Sequence, residues 1–188
     1  MLNKVTESAI DAMNHINDGA TILIGGFGLA GQPAELIDAL IERNAKDLTI
    51  VSNNAGNGET GLALLLKSGC VRKIICSFPR QHDSYIFDDL YRSGKIELEV
   101  VPQGTLAARM QAGGSGLGAI YTPTAYGTLL AEGKETRTID GVNYVLEYPV
   151  KADFALIKAF KGDRWGNLTY RKAARNFGPI MAAASKHT

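Results

Sequence analysis

The stretch Ala20-Thr21-Ile22-Leu23-Ile24-Gly25-Gly26-Phe27-Gly28-Leu29-Ala30-Gly31-Gln32-Pro33 decides the fold. Its first five residues form an apolar run of strand length, and residues 25–31 that follow are rich in glycine. Beyond them Leu36, Ile37, Leu40 and Ile41 recur at helical spacing. Pro33 sits early in that helix, where its missing N–H costs little. A buried strand that turns through glycines into an amphipathic helix is the unit from which α/β folds are built.

The same alternation extends in both directions. Upstream, Val5, Ala9, Ile10, Met13 and Ile16 predict a helix that Asn17-Asp18-Gly19 ends. Downstream, strands are expected at 48–51, 71–77 and 96–101, with helices at 60–67, 84–92 and 105–111. Such intervals predict an open, largely parallel sheet with helices on both faces. After Gly113 the texture changes to glycine-rich and turn-prone sequence. Residues 136–148 then alternate around Asp140-Gly141, the chain's strongest hairpin signal. A buried strand at 154–159 and a loop with a short helix at 176–184 complete the reading. Without repeats, low-complexity tracts or a linker, residues 1–188 are expected to form a single α/β domain with an inserted β-hairpin.

Composition narrows the function less than the fold. The 188 residues are 45% hydrophobic with a net charge of +1, and basic residues such as Arg72, Lys73 and Arg80 stand among acids. The electrostatic argument for a nucleic-acid partner is therefore missing. The longest apolar runs, 20–24 and 63–66, are too short to cross a bilayer. The N-terminus carries Glu7 and Asp11 and no signal-peptide core. Cys70 and Cys76, the two cysteines, flank and enter a strand, which predicts buried free thiols rather than a disulfide or metal site. A cytoplasmic, non-membrane protein is expected.

Candidate chemistry gathers where parallel strands end. The glycine segment lies at the carboxyl edge, where open α/β sheets bind ligands, and a helix start offers N–H donors to an anion. Gly26, Gly28 and Gly31 satisfy G-x-G-x-x-G, but the dinucleotide reading needs an acid about twenty residues on. Ser52-Asn53-Asn54 stands there instead. A tight turn without ligand remains a second reading. Asn53 and Gln103 end two other strands on this edge, and neutral amides there suit hydrogen bonding of a carbonyl or oxyanion. Asn57 and Gly58 read as turn formers. Glu59 is the tempting nucleophile, although an acid in the first turn of a helix is the favoured reading. Arg80, just past a strand end, could meet a substrate carboxylate or be a solvated loop charge. His15, His82 and His187 show no metal-ligand spacing.

Taken together, the segments resemble the A (α) subunit of the family I CoA-transferases. The resemblance rests on Asp18-Gly19-Ala20-Thr21 with Gly25-Gly26-Phe27 and Gly31-Gln32-Pro33, then Ser52-Asn53-Asn54-Ala55-Gly56 and Pro102-Gln103-Gly104-Thr105-Leu106. Ala112-Gly113-Gly114, Tyr121-Thr122-Pro123-Thr124, Asp153-Phe154-Ala155-Leu156 and Ala174-Arg175-Asn176-Phe177 follow in family order. Ser77-Phe78-Pro79-Arg80-Gln81, the segment 83–91 and Lys161-Gly162-Asp163-Arg164-Trp165-Gly166-Asn167 are similar to the branch whose acceptor is 3-oxoadipate.

The resemblance implies a ping-pong exchange through a glutamyl-CoA thioester, with succinyl-CoA as donor and a 3-oxo acid as acceptor. It places the glutamate in a Ser-Glu-Asn-Gly-type motif of a B subunit, in an A2B2 assembly. This chain lacks that motif, which sets Glu59 aside. CoA thioesters enter as substrates and no bound cofactor or metal is implied. By the same resemblance Gln103 and Asn53 support the oxyanion. Gly25, Gly26, Phe27, Gly28, Leu29, Ala30 and Gly31 form the CoA loop. The family's A chains continue for several tens of residues past the Ala-Arg-Asn-Phe segment, so the chain is expected to be truncated at its C-terminus. A subunit of the acetoacetate type, a non-catalytic CoA-binding module and a scaffold that completes another chain are the alternative readings.

Overall fold

A computed structural model describes residues 3–188. In chain order the elements are α1 (Ala9–Met13), β1 (Thr21–Ile24), α2 (Ala34–Arg43), β2 (Leu48–Val51), α3 (Leu62–Lys67) and β3 (Val71–Cys76). Then come α4 (Tyr85–Arg92), β4 (Glu97–Val100), α5 (Gln103–Gly114), β5 (Ile120–Thr122), β6 (Thr136–Ile139) and β7 (Val142–Glu147). The chain closes with β8 (Ala152–Leu156), β9 (Lys161–Gly162), β10 (Leu168–Thr169), α6 (Gly178–Ala183) and β11 (Ser185–His187).

The main sheet has six strands in the order β11-β8-β1-β2-β3-β4, and every pairing within it is parallel. Strand side chains alternate between faces, which divides the core in two. Ile22, Ile24, Ile50, Ile74 and Cys76 pack with Ile37, Leu40, Leu62, Leu65 and Phe87 beneath α1 to α4. Leu23, Val51 and Ile75 pack with Leu106, Met110 and Met181 beneath α5 and α6. The expected parallel sheet covered on both faces is what forms. Among the described residues no helix is long and apolar enough to cross a membrane.

Several boundaries differ from the expectation for local reasons. The first helix covers Ala9–Met13 rather than 5–16, because the Ser8 side chain accepts from the Asp11 N–H and starts it there. Val5 is left exposed. Helix α5 runs through Gly113 and Gly114 instead of stopping before them. A Cβ on Gly113 would stand 2.1 Å from the Val150 carbonyl oxygen, so glycine serves close packing here rather than a turn. Asp140 and Gly141 both take positive φ, 49° and 77°, the two-residue turn expected between β6 and β7. This hairpin is part of a three-stranded antiparallel sheet, β5-β7-β6. Strand β5 has three residues and no alternating pattern to announce it. The strand expected at 154–159 starts two residues earlier and ends three earlier, at Ala152–Leu156, and β11 adds a polar edge strand to it.

Candidate functional site

The loop after β1 continues the sheet before it turns. Gly25 N–H donates to the Leu156 carbonyl at 3.0 Å. Phe27 and Ala30 then exchange two backbone hydrogen bonds, 2.9 and 3.2 Å, with Gly28 and Leu29 as the tip. Asn176 fastens this hairpin from across the sheet. Its Oδ1 accepts from Gly26 N–H at 3.2 Å, and its Nδ2 donates to the Ala30 carbonyl at 2.9 Å. A Cβ on Gly31 would lie 2.5 Å from the Ala174 carbonyl oxygen, so the 173–176 segment fits only against glycine. The loop's N–H groups at 25, 26, 27 and 30 are therefore spent within the protein, unlike those of a phosphate-cradling loop. What the loop presents to solvent is apolar: Phe27 and Leu29 are 53% and 74% exposed.

One strand away, Asn53 follows β2 and is buried. Its Oδ1 accepts from Gln103 Nε2 at 2.6 Å and from Ser77 Oγ at 2.9 Å. Gln103 is exposed and begins α5 directly after Pro102. The Asn53 carbonyl also takes the Ser77 and Phe78 N–H groups, 3.2 and 3.0 Å. Three strand ends thus converge on one carboxamide. With its oxygen spent in this way, Asn53 keeps an Nδ2 that has no partner among the described residues. Gln103 Nε2 retains a second N–H. Two residues further into α5, Thr105 Oγ1 is the buried side-chain oxygen without a partner among the described residues.

The other candidates separate from this pair. Asn57 bonds to Gln81 and takes a bond from Ser84 at 3.3 Å, a loop-fastening role. Glu59 lies ahead of α3, which starts at Leu62 with Gly61 as its cap, so it is not the first-turn acid expected. It is 3.4 Å from Lys67 with its side chain mostly exposed. Arg80 is paired with Asp88 of α4 at 2.9 Å. Among the described residues no cluster of three or more His, Cys, Asp and Glu side chains could hold a metal. Both cysteines are free and buried. Burial raises the Cys76 thiol to about 12, opposed by a hydrogen bond from Phe78. Sequence reasoning does not single out Asn176 as a residue of the ligand edge. Asn is an ordinary turn former, and the partners that reveal it are 146 and 150 positions away.

An open parallel sheet whose carboxyl edge joins neutral amide donors beside an apolar loop defines a half-site. It can bind a ligand and stabilise developing negative charge, but among the described residues no acid or histidine is in hydrogen-bond contact with the Asn53–Gln103 pair. The coenzyme A transferase family matches residues 6–188, and the chain belongs to it. It is 72% identical to the A subunit of 3-oxoadipate CoA-transferase from Acinetobacter baylyi, over 100% of this chain and 82% of that one. With the protein of the same name from Pseudomonas putida it shares 72% over 99% of this chain and 80% of the relative. A crystal structure of the decarboxylase AibA/AibB superposes with a TM-score of 0.83 at 25% identity, covering 99% of this chain and 73% of that one. The fold therefore carries more than one chemistry, and the site has to decide between them.

Proposed function

We propose that this chain is the A half of a two-subunit, cytoplasmic A2B2 transferase that moves CoA from succinyl-CoA to 3-oxoadipate. The observation that carries the reading is the Asn53–Gln103 pair. Its unspent N–H donors stand at the ligand edge, and no carboxylate among the described residues is hydrogen-bonded to them. The B subunit's glutamate supplies the attack. Its carboxylate adds to the thioester carbonyl, and the CoA thiolate leaves to give a mixed anhydride. The thiolate then attacks the glutamyl carbonyl, releasing succinate and leaving a glutamyl-CoA thioester. The acceptor carboxylate reverses these two steps and regenerates the glutamate. Splitting one exchange in this way lowers each barrier.

Every addition passes through a tetrahedral oxyanion, and fixed N–H donors aimed at it stabilise it without reorganisation. Gln103 Nε2 and Asn53 Nδ2 take that role. Ser77 and the Gln103–Asn53 bond hold both amides in place. The segment 25–31 lies along the CoA chain, with Phe27 and Leu29 against its apolar part. Arg80 receives the distal carboxylate of the dicarboxylic acceptor and must exchange Asp88 for it.

Reconstitution with a B subunit carrying Ser-Glu-Asn-Gly, followed by a transferase assay, tests the reading. The chain alone is expected to be inactive and the complex active. Gln103→Ala should lower kcat by about 10²–10³ without changing assembly, and near-normal turnover would remove Gln103 from the mechanism.

A further inference from the structure

The charge that looks scattered along the sequence is concentrated in one segment of the fold. Six of the chain's 20 Lys and Arg residues lie within 158–175, against one of its 19 Asp and Glu. Strands β9 and β10 pair here as an antiparallel arm whose residues 160–169 are all exposed. Its one acid, Asp163, is committed to the arm's own turn: it accepts from the Trp165 and Asn167 N–H groups and from Asn167 Nδ2 at 2.8–2.9 Å. Lys158, Lys161, Arg171, Lys172 and Arg175 enter no ion pair among the described residues.

Two large aromatic rings stand among these cations, Phe160 at 54% and Trp165 at 52% exposure. Arg171 lies 5.3 Å from the Phe160 ring centre and Arg164 lies 4.7 Å from that of Trp165. The arm is also joined to the glycine loop. The turn 172–175 leads into Asn176, which holds Gly26 and Ala30. Exposed aromatic faces beside a cluster of cations match a ligand with a purine ring and several phosphates, because bases stack on such rings and Lys and Arg pair with phosphate.

We infer that the 158–175 arm binds the phosphorylated adenosine end of CoA, while the 25–31 loop takes the pantetheine end. This rests on the reading of the chain as a CoA-transferase half. The glycine loop spends the N–H groups of Gly25, Gly26, Phe27 and Ala30 within the protein and carries no cation to pair with phosphate. The arm gives the phosphates a separate place.

Trp165 is the chain's one tryptophan, so its emission reports on the arm directly. The full chain would be titrated with CoA, adenosine 3′,5′-bisphosphate and pantetheine. CoA and the bisphosphate should quench Trp165, pantetheine should not, and added salt should weaken the effect. Lys161→Glu with Arg171→Glu should raise the CoA dissociation constant about 10-fold or more. Lys95→Glu, on the opposite edge of the sheet, should leave it unchanged. Equal quenching by pantetheine, or unchanged CoA binding by the double variant, overturns the inference.

Should the isolated chain bind none of the three, KM in the assembled complex decides. The double variant must then raise KM for succinyl-CoA and spare succinyl-pantetheine. Weakened assembly at unchanged KM would make the arm an inter-chain contact and end the proposal. The two readings fail separately: turnover with a KM indifferent to the arm removes the arm alone. Intact CoA quenching without transferase turnover removes the transferase reading alone.

Discussion

Asn53 and Gln103 stand 50 positions apart and meet because parallel strands put their carboxyl ends on one edge. That meeting was legible from sequence: once strands at 48–51 and 96–101 are accepted, both amides fall on the same side. The bond direction was not legible, since it depends on Ser77 and Gln103 both donating to one oxygen. Arg80 shows the limit from the other side. Its position past β3 could be read, whereas its 2.9 Å pairing with Asp88 needed the fold to bring α4 across. An exposed pair of this kind is worth little by itself, so a substrate carboxylate can displace Asp88 at small cost. Arg80→Ala is expected to raise KM for 3-oxoadipate by roughly 5- to 10-fold, the loss of one charge-assisted contact. Acetoacetate, which lacks the distal carboxylate, should change by less than about 2-fold on the same argument. Asp88→Asn should lower the 3-oxoadipate KM. Equal losses on both acids would remove Arg80 from recognition.

At the scale of elements, strands with one long apolar run were readable and short or polar ones were not. Strands β5, β9, β10 and β11 have three residues or fewer, too few for a period to register. The β6–β7 hairpin was readable from its turn, but its attachment was not. A chain of ions supplies that attachment. Lys73 and Arg109 hold Glu99 at 2.6 and 3.1 Å, Arg109 donates to the Tyr148 carbonyl at 2.7 Å, and Lys134 holds the buried Glu147 at 2.6 Å. The network joins β3, β4 and α5 to β7, and α5 is the helix that Gln103 begins. Burial pushes the Glu99 carboxyl up, but the hydrogen bonds and charges of Lys73 and Arg109 outweigh it, and the net shift is downward. A carboxyl lowered on folding stabilises the protein above its unfolded value, near about 4.3 for glutamate. That contribution disappears as pH falls through the folded value. Urea midpoints measured from about pH 6 to about pH 3 should therefore fall more steeply for the protein than for Glu99→Gln. Parallel acid limbs would show that Glu99 contributes nothing to them.

For the molecule as a whole, alternation within the strands specified a core on both sides of the sheet, and the two cysteines sit inside it. Cys70 and Cys76 bracket β3, which lies between β2 and β4, and both are fully buried. The thiolate is the reactive form. With its thiol raised to about 12, Cys76 would be about 10⁻⁴ ionised at pH 8, roughly a thousandfold below an ordinary thiol. Ionisation and access therefore both require the sheet to open. Neither cysteine can be reached by fraying an edge strand, because the cover over β3 includes Leu65, Leu66 and Phe87 of the same cluster. Labelling with a thiol reagent at pH 8 should be slow at both positions, and it should accelerate in urea with the slope of global unfolding. In full denaturant two thiols should react at once. Early labelling of Cys76 alone would mean instead that the ligand edge of the sheet opens independently of the core. The Asn53–Gln103 pair would then belong to a mobile rim rather than to a preorganised site.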